Sequence, residues 1–402
     1  MATSPETSRP DSFVFVRLGL AVAVIFGHSF PLAPFGTEPV AALCHNQLSP
    51  EGLAVKGFFI LSGYLLMQSL GKQPSVLRFA VRRLFRIMPA FWVCLLVTSF
   101  IVVPMMIETM FPGQLSYWDR LVGSGQRNAF SYVANNAALY ITQWKVTPVF
   151  MHNRFPGILN GSLWSLSYEA ICYAGLALAA GLSFLRWRFV PLAGFALLYA
   201  PSVIYAFHPF PDLNDNSDWR IIVNTGFHPG GQGVMLAFMA GVAMNALTAG
   251  KFTWNAKYFA IAAAAFGASL LTTGFALVWP LALPYLLLSL CYKLPFHSFG
   301  RLGDFSYGTY LYAFLIQQCL YAFRVHESGF VAFFGLAVLL SLACGVLSWM
   351  LVERPAMALG THLIRWFRPD AGARGDALPC PIEVLEPAHA GLVIRNMGVT
   401  GG

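Results

Sequence analysis

The chain has 402 residues, 57% of them hydrophobic and only 10% charged, with a formal net charge of +8. A soluble domain carries about a quarter charged residues, so a soluble fold could not hide this much apolar surface, whereas lipid can. The basic excess sits beside apolar runs rather than on a basic face, which speaks for membrane topology and against a nucleic-acid partner.

A spanning helix needs about 20 mostly apolar residues. In chain order the segments 13–33, 53–71, 89–107, 162–182, 188–207, 231–248, 257–275, 277–293, 304–325 and 329–352 meet that measure. The seventh and eighth are separated only by a short turn. The apolar stretch 129–143 is too short and polar to span, and reads as an interfacial or re-entrant piece of a long loop. The expected fold class is therefore an all-α integral membrane protein with about ten transmembrane helices. Residues 1–12 form an N-terminal segment, 13–356 the multi-helix transmembrane domain, and 357–402 a disordered tail rich in Gly, Pro and Ala. Arg17 interrupts the first apolar run and no small-residue cleavage site follows, so a cleaved signal peptide is not expected.

Loop charges set the orientation. With both termini cytoplasmic, the inner loops carry Lys72, Arg78, Arg82, Arg83 and Arg86, then Arg186 and Arg188, Lys251 and Lys257, Lys293 and Arg301, and Arg354, Arg365 and Arg368. The outer loops hold Asp212, Asp215 and Asp218 together, and the positive-inside rule favours this arrangement. His208 and His228 share that acidic loop, but their spacing matches no metal motif. The seven cysteines are scattered without a C-x-x-C, so neither a disulfide framework nor a metal site is expected.

An ionisable side chain at the bilayer centre costs at least ~2.5–3.5 kcal/mol, so its presence calls for an explanation. Arg17 and His28 lie in the first helix, eleven positions apart. That separation is three turns plus roughly 20°, so both leave one helical face, roughly 16 Å apart along the axis. Glu169 lies about seven residues into the fourth segment, at a depth that counting from the outer loop makes comparable to His28. Two readings fit this pair: a carboxylate that sets the tautomer and basicity of a general-base histidine, or a structural ion pair between packed helices. Arg17 is explained equally by snorkelling. Arg82-Arg83-Leu84-Phe85-Arg86 precedes Pro89. Its planar guanidinium forks suit the phosphates of a nucleotide-containing donor, and also suit the positive-inside rule or anionic headgroups. Gly57 to Tyr64 places small residues in a helix, a mark of close helix packing. Asn160-Gly161-Ser162 forms a glycosylation sequon, a pattern common by chance.

These residues resemble the membrane-bound acyltransferase 3 family, which includes bacterial O-acyltransferases of surface polysaccharides and lipopolysaccharide. Arg17 to His28 resembles its Arg-x10-His, Phe58-Phe59-Ile60-Leu61-Ser62-Gly63-Tyr64 its F-F-x-x-S-G element, and Arg83-x-x-Arg86 with Pro89 its R-x-x-R-x-x-P. Leu163 to Glu169 is similar to its W-S-L-x-x-E segment. Ser306-Tyr307 with Tyr310-Leu311, and Val352-Glu353-Arg354-Pro355, are similar to its closing signatures. The agreement runs in order from residue 13 to about 356.

The resemblance implies an O-acyltransferase in the cell inner (cytoplasmic) membrane, with no bound cofactor. The implied donor is cytoplasmic acyl-CoA, acetyl-CoA in the first instance, and the acceptor a hydroxyl of a carbohydrate or lipid-linked molecule at the outer face. It implies His28 as general base with Glu169 orienting it, and Arg17, Arg83 and Arg86 as substrate-binding residues. Lys56 stands where many members have aspartate, Ala313 where many have histidine, and the aspartate often found before the helix-one arginine is missing. These departures point to a subgroup with its own acceptor. No fused extracytoplasmic domain is expected in the last ~45 residues. A polytopic transporter or channel is the alternative, but neither inverted repeats nor paired broken helices are evident.

Overall fold

No water in a bilayer core satisfies backbone N–H and C=O groups, so a spanning segment satisfies its own by forming a helix. The computed structural model is accordingly built from helices; it describes residues 12–72, 75–123, 125, 127–207, 229–272, 274–296 and 298–366. Among these the long helices are α1 (Ser12–Leu32), α2 (Pro50–Lys72), α3 (Val76–Val97), α4 (Trp164–Gly181), α5 (Phe189–Phe207), α6 (Pro229–Thr248), α7 (Ala256–Leu270), α8 (Phe275–Lys293), α9 (Ser306–Ala322), α10 (Phe330–Ser348) and α11 (Arg354–Trp366). The one β-pairing among the described residues is an isolated bridge, Lys145 to Ile158.

Each of the ten apolar segments expected from sequence coincides with a helix. Seven helices among the described residues are long and apolar enough to cross a membrane: α1, α2, α3, α4, α6, α8 and α10. α5 counts as a shorter apolar stretch over Phe189–Ile204, α7 spans only 15 residues, and α9 spans 17 residues. α9 is buried along nearly its whole length, so protein rather than lipid is its solvent.

Two expectations are corrected. The basic residues before Pro89 do not form a loop. Ser75 caps α3, its hydroxyl accepting from the Arg78 N–H at 3.4 Å, and the helix runs from Val76 through Pro89. A π turn at Thr98–Val102 then leads into a further helix, Val103–Met110. Hydropathy misses the first turns because they carry charge on one face, while Leu77 and Leu84 stay exposed on the other. The tail expected from 357 begins instead with the ordered helix α11, joined to α10 by a second π turn at Trp349–Glu353. Residues from 367 onward lie outside the described part, as does the acidic loop with His208, Asp212, Asp215, Asp218 and His228.

The small residues of the 57–64 run have a definite use. α2 and α6 make the most extensive helix contact among the described residues. A Cβ on Gly63 would collide with the Phe238 carbonyl oxygen and lie 3.1 Å from the Val242 nitrogen. Reciprocally, a Cβ on Gly241 would collide with the Ile60 carbonyl oxygen and lie 2.9 Å from the Tyr64 nitrogen. Backbone cannot swing aside as a side chain can, so the two helices approach only because both positions are glycine. Asn245 Nδ2 donates to the Tyr64 carbonyl at 3.1 Å and Gln68 Nε2 to the Gly250 carbonyl at 2.8 Å, adding polar staples to the contact.

The segment before α4 descends into the protein rather than staying at its surface. Val146, Val149 and Leu159 are fully buried, and Asn153 Nδ2 donates to the Gln318 carbonyl at 2.9 Å. Asn160, the asparagine of the sequon, is buried and donates to the Leu311 carbonyl at 2.7 Å, so it is a brace for α9.

Gly63→Ala is expected to cost about 1–3 kcal/mol or more by overpacking, and Gly241→Ala likewise. Gly267→Ala, with nothing within 4 Å of its new methyl, is the control that should stay near wild type. Thermal unfolding of detergent-solubilised protein, read by loss of the monodisperse peak, checks the ranking.

Candidate active site

At one end of α1, Arg17 Nη1 pairs with Asp304 Oδ2 at 2.8 Å. The same carboxylate oxygen takes Arg86 Nη2 at 2.9 Å, and Arg86 Nη1 bonds Glu353. Ser306 Oγ donates to Asp304 at 2.5 Å and Ser348 Oγ to Glu353 at 2.8 Å. The Arg86 guanidinium also lies over the rings of Tyr307 and Trp349, each 5.6 Å from the centroid. This network ties α1, α3, the start of α9 and the π turn after α10 at one level of the fold.

One step further in, a cavity of about 50 Å³ opens beside Arg17, Arg83, Arg86, Glu169, Tyr173 and Tyr307. Tyr173 donates its hydroxyl to Glu169. Arg83 Nε is buried without a hydrogen-bond partner among the described residues. Asp304, Glu353 and Glu169 face three guanidinium groups here, so the cluster is close to neutral although it is highly polar. A second, smaller cleft lies toward the start of α3, lined by Ser69, Ser75, Arg78, Phe79, Arg82 and Arg83. Arg83 lines both.

His28 stands at the opposite end of α1. Its ring meets Phe314 edge-on at 5.5 Å, and its Nδ1 is buried without a hydrogen-bond partner among the described residues. Pro31 has no N–H to offer the Gly27 carbonyl, which loosens this last turn. Gln317 Nε2 braces it, donating to the Ile25 carbonyl and to Ser29 Oγ, both at 2.9 Å. The missing side chain of Gly27 makes room for Glu51, whose Oε2 is buried and unpartnered among the described residues.

The structure does not join His28 to Glu169. Gly161 packs on the Phe314 ring, a Cβ there falling 2.7 Å from it, and so lies level with His28. Ser165 bonds the Tyr310 hydroxyl at 2.7 Å, one turn on. Glu169 follows another turn on, roughly 12 Å from Gly161 along the axis at 1.5 Å per residue, where it faces the arginines. Counting depth from the outer loop placed it too high, because α4 begins already buried rather than at the surface.

Most of the chain fits a known pattern. A family model described as an acyltransferase domain matches residues 12–350. The chain belongs to the acyltransferase 3 family. This acyltransferase 3 chain is 27% identical to Nodulation protein 10 of Rhizobium leguminosarum bv. viciae over 376 residues, covering 88% of the chain and 95% of that relative. It is 25% identical to the O-acetyl transferase of Shigella phage Sf6 over 358 residues, covering 86% and 96% respectively. No solved structure matches it. As a member of this family with a bundle of membrane-length helices, the protein is a multi-pass membrane O-acyltransferase, acting on an acyl donor and an acceptor within or beside a bilayer.

Sequence reasoning brought forward Arg17, His28, Arg83, Arg86 and Glu169, but missed Asp304, the carboxylate shared by two of the arginines. The signal was there: Asp304 stands just before an uncharged helix, in a chain with only 17 acidic residues. Breaking a buried ion pair by removing one partner typically costs 3–5 kcal/mol. Asp304→Asn is therefore expected to lose about that much stability, and Arg324→Ala, at an exposed pair with Glu327, under about 1 kcal/mol. The same thermal assay compares the two.

Proposed function

We propose that this acyltransferase moves an acetyl group from cytoplasmic acetyl-CoA to a hydroxyl of a carbohydrate or lipid-linked acceptor at the outer face of the cytoplasmic membrane. The observation that carries the reading is the separation of two chemistries along α1. An arginine-rich end with a charge-balanced cavity lies at Arg17, and an imidazole whose buried Nδ1 has no hydrogen-bond partner among the described residues lies roughly 16 Å away at His28. The acetyl group is supported by the relative named an O-acetyl transferase. The inward direction of the basic end is supported by the positive-inside bias of the loops.

In this mechanism His28 accepts the proton of the acceptor hydroxyl as its oxygen attacks the thioester carbonyl. The carbon–sulfur bond breaks, the acetyl ester forms, and the imidazolium returns its proton to the CoA thiolate. The unpartnered Nδ1 leaves the imidazole free of any carboxylate among the described residues, so Glu169 has a different task. With Tyr173 it balances Arg83 at the donor end. Arg86, held by two carboxylates, fixes the wall of the cavity, and Arg17 shares that duty through Asp304.

His28→Ala is expected to cut acetyl transfer from radiolabelled acetyl-CoA by ~10²–10⁴-fold in isolated membranes, with unchanged protein level and unfolding temperature. Wild-type activity in a well-folded variant would remove His28 from the mechanism.

The sidedness is tested separately. In a cysteine-free background, Ser75→Cys should resist an impermeant thiol reagent on intact cells, and Ser217→Cys should react. Reaction at position 75 from outside would place the arginines beyond the reach of cytosolic CoA.

A further inference from the structure

The sequence motif draws attention to Arg83 and Arg86, yet the structure leaves little positive charge to spare there. Arg86 is forked between Asp304 and Glu353, Arg17 shares Asp304, and Arg83 faces Glu169 in one cavity. A doubly charged phosphate monoester entering that neutral cluster would gain little. The uncompensated charge lies lower on the same helix. Arg78, Arg82, Arg83 and Arg86 follow Ser75 at offsets of three, seven, eight and eleven residues, which keeps all five on one side of the helix. They form a ladder from the rim of the bundle into its interior, with Arg78 and Arg86 roughly 12 Å apart.

The lower rungs line the small cleft with Ser69 and Ser75, and among the described residues no carboxylate lines it. Among the described residues no acidic side chain lies within 4 Å of Arg78 or Arg82, in contrast to Arg17 and Arg86. Both are half-buried, so their guanidinium groups are less hydrated than a free surface charge. Arg83 lines this cleft and the inner cavity together, and its buried Nε has no partner among the described residues.

We propose that Arg78 and Arg82, with Ser69 and Ser75, form the subsite for the terminal 3′-phosphate of the donor nucleotide. Arg83 marks the passage through which the narrow pantetheine arm enters toward His28. This rests on the acyl-CoA reading above and deepens it. The chemistry agrees rung by rung. A phosphate monoester carries nearly two negative charges and is gripped by paired guanidinium forks. The arm that follows is uncharged, and the cluster it passes is neutral. The thioester then arrives at the end of α1 where the imidazole stands. The same two arginines could instead hold the phosphate of an anionic lipid headgroup, and the test separates the two sources.

The experiment measures binding of acetyl-CoA and of 3′-dephospho-acetyl-CoA to the purified full chain in nanodiscs of phosphatidylcholine, and again with phosphatidylglycerol added. Wild type should bind the dephosphorylated donor about tenfold more weakly, the loss of one charge-assisted grip. Arg78→Ala and Arg82→Ala should weaken acetyl-CoA by a similar factor and bind both donors alike. Arg→Lys should recover only part of the discrimination, because the fork is lost. Equal binding of the two donors by wild type would overturn the subsite while leaving acetyl-CoA as donor. So would variants that lose both donors equally, or an effect confined to phosphatidylglycerol discs, which would assign the arginines to lipid. Failure of wild type to bind either donor would overturn the donor reading itself.

Discussion

The Arg86 guanidinium, held between Asp304 and Glu353, is the interaction on which the arrangement of the bundle depends. Charges taken out of water lose their hydration, and only near-ideal geometry with further hydrogen bonds returns that free energy. Here the geometry is supplied by four separate elements, and the two serines satisfy the remaining carboxylate oxygens. A pair of this kind contributes less to net stability than to uniqueness. Any shift of α3 against α9 would strand a charge in an apolar surrounding, so alternative registers are strongly penalised. That fixes where Arg83 and Glu169 stand, and through α1 it fixes the level of His28.

The rest of the polar groups obey the same constraint in a milder form. α9 is rich in Tyr, Gln, Ser and Thr, and it is buried in protein, where Gln317, Gln318, Thr309 and Tyr310 all find partners. Lipid contact is left to helices such as α10, with exposed Val331, Leu339 and Leu347. The polar seam therefore runs through the interior from the arginines to His28, and the glycine contact of α2 with α6 holds the neighbouring wall close against it.

Much of this was legible from the chain alone, for a physical reason. A bilayer demands about 20 apolar residues per crossing, so helix positions are written in composition, and the Arg17–His28 face follows from helical periodicity. Two features were hidden. The start of α3 carries three arginines within its first eight residues, so a hydropathy window reads it as a loop although Ser75 and the i, i+4 spacing of Arg78 and Arg82 are helical signals. The partners of Arg86 lie 218 and 267 residues away, a distance across which no local pattern carries information. The placement of Glu169 failed for a third reason: periodicity gives the direction of a side chain, but its depth depends on where the helix begins.

The π turn at Trp349–Glu353 has a consequence of phase. Such a turn inserts one residue without adding a full turn of length, so the helix after it is rotated relative to the pattern before it. α10 is apolar nearly all round, while α11 is amphipathic and packs Gly360 against Phe85 of α3, where a Cβ would fall 2.8 Å from the ring. One uninterrupted α-helix could not aim Glu353 at Arg86 and Gly360 at Phe85 together with the lipid-facing stripe of α10. The extra residue acts as a coupling between two helical clocks. Removing it would turn α11 by about 100°, swinging its apolar side off the basic helix it covers.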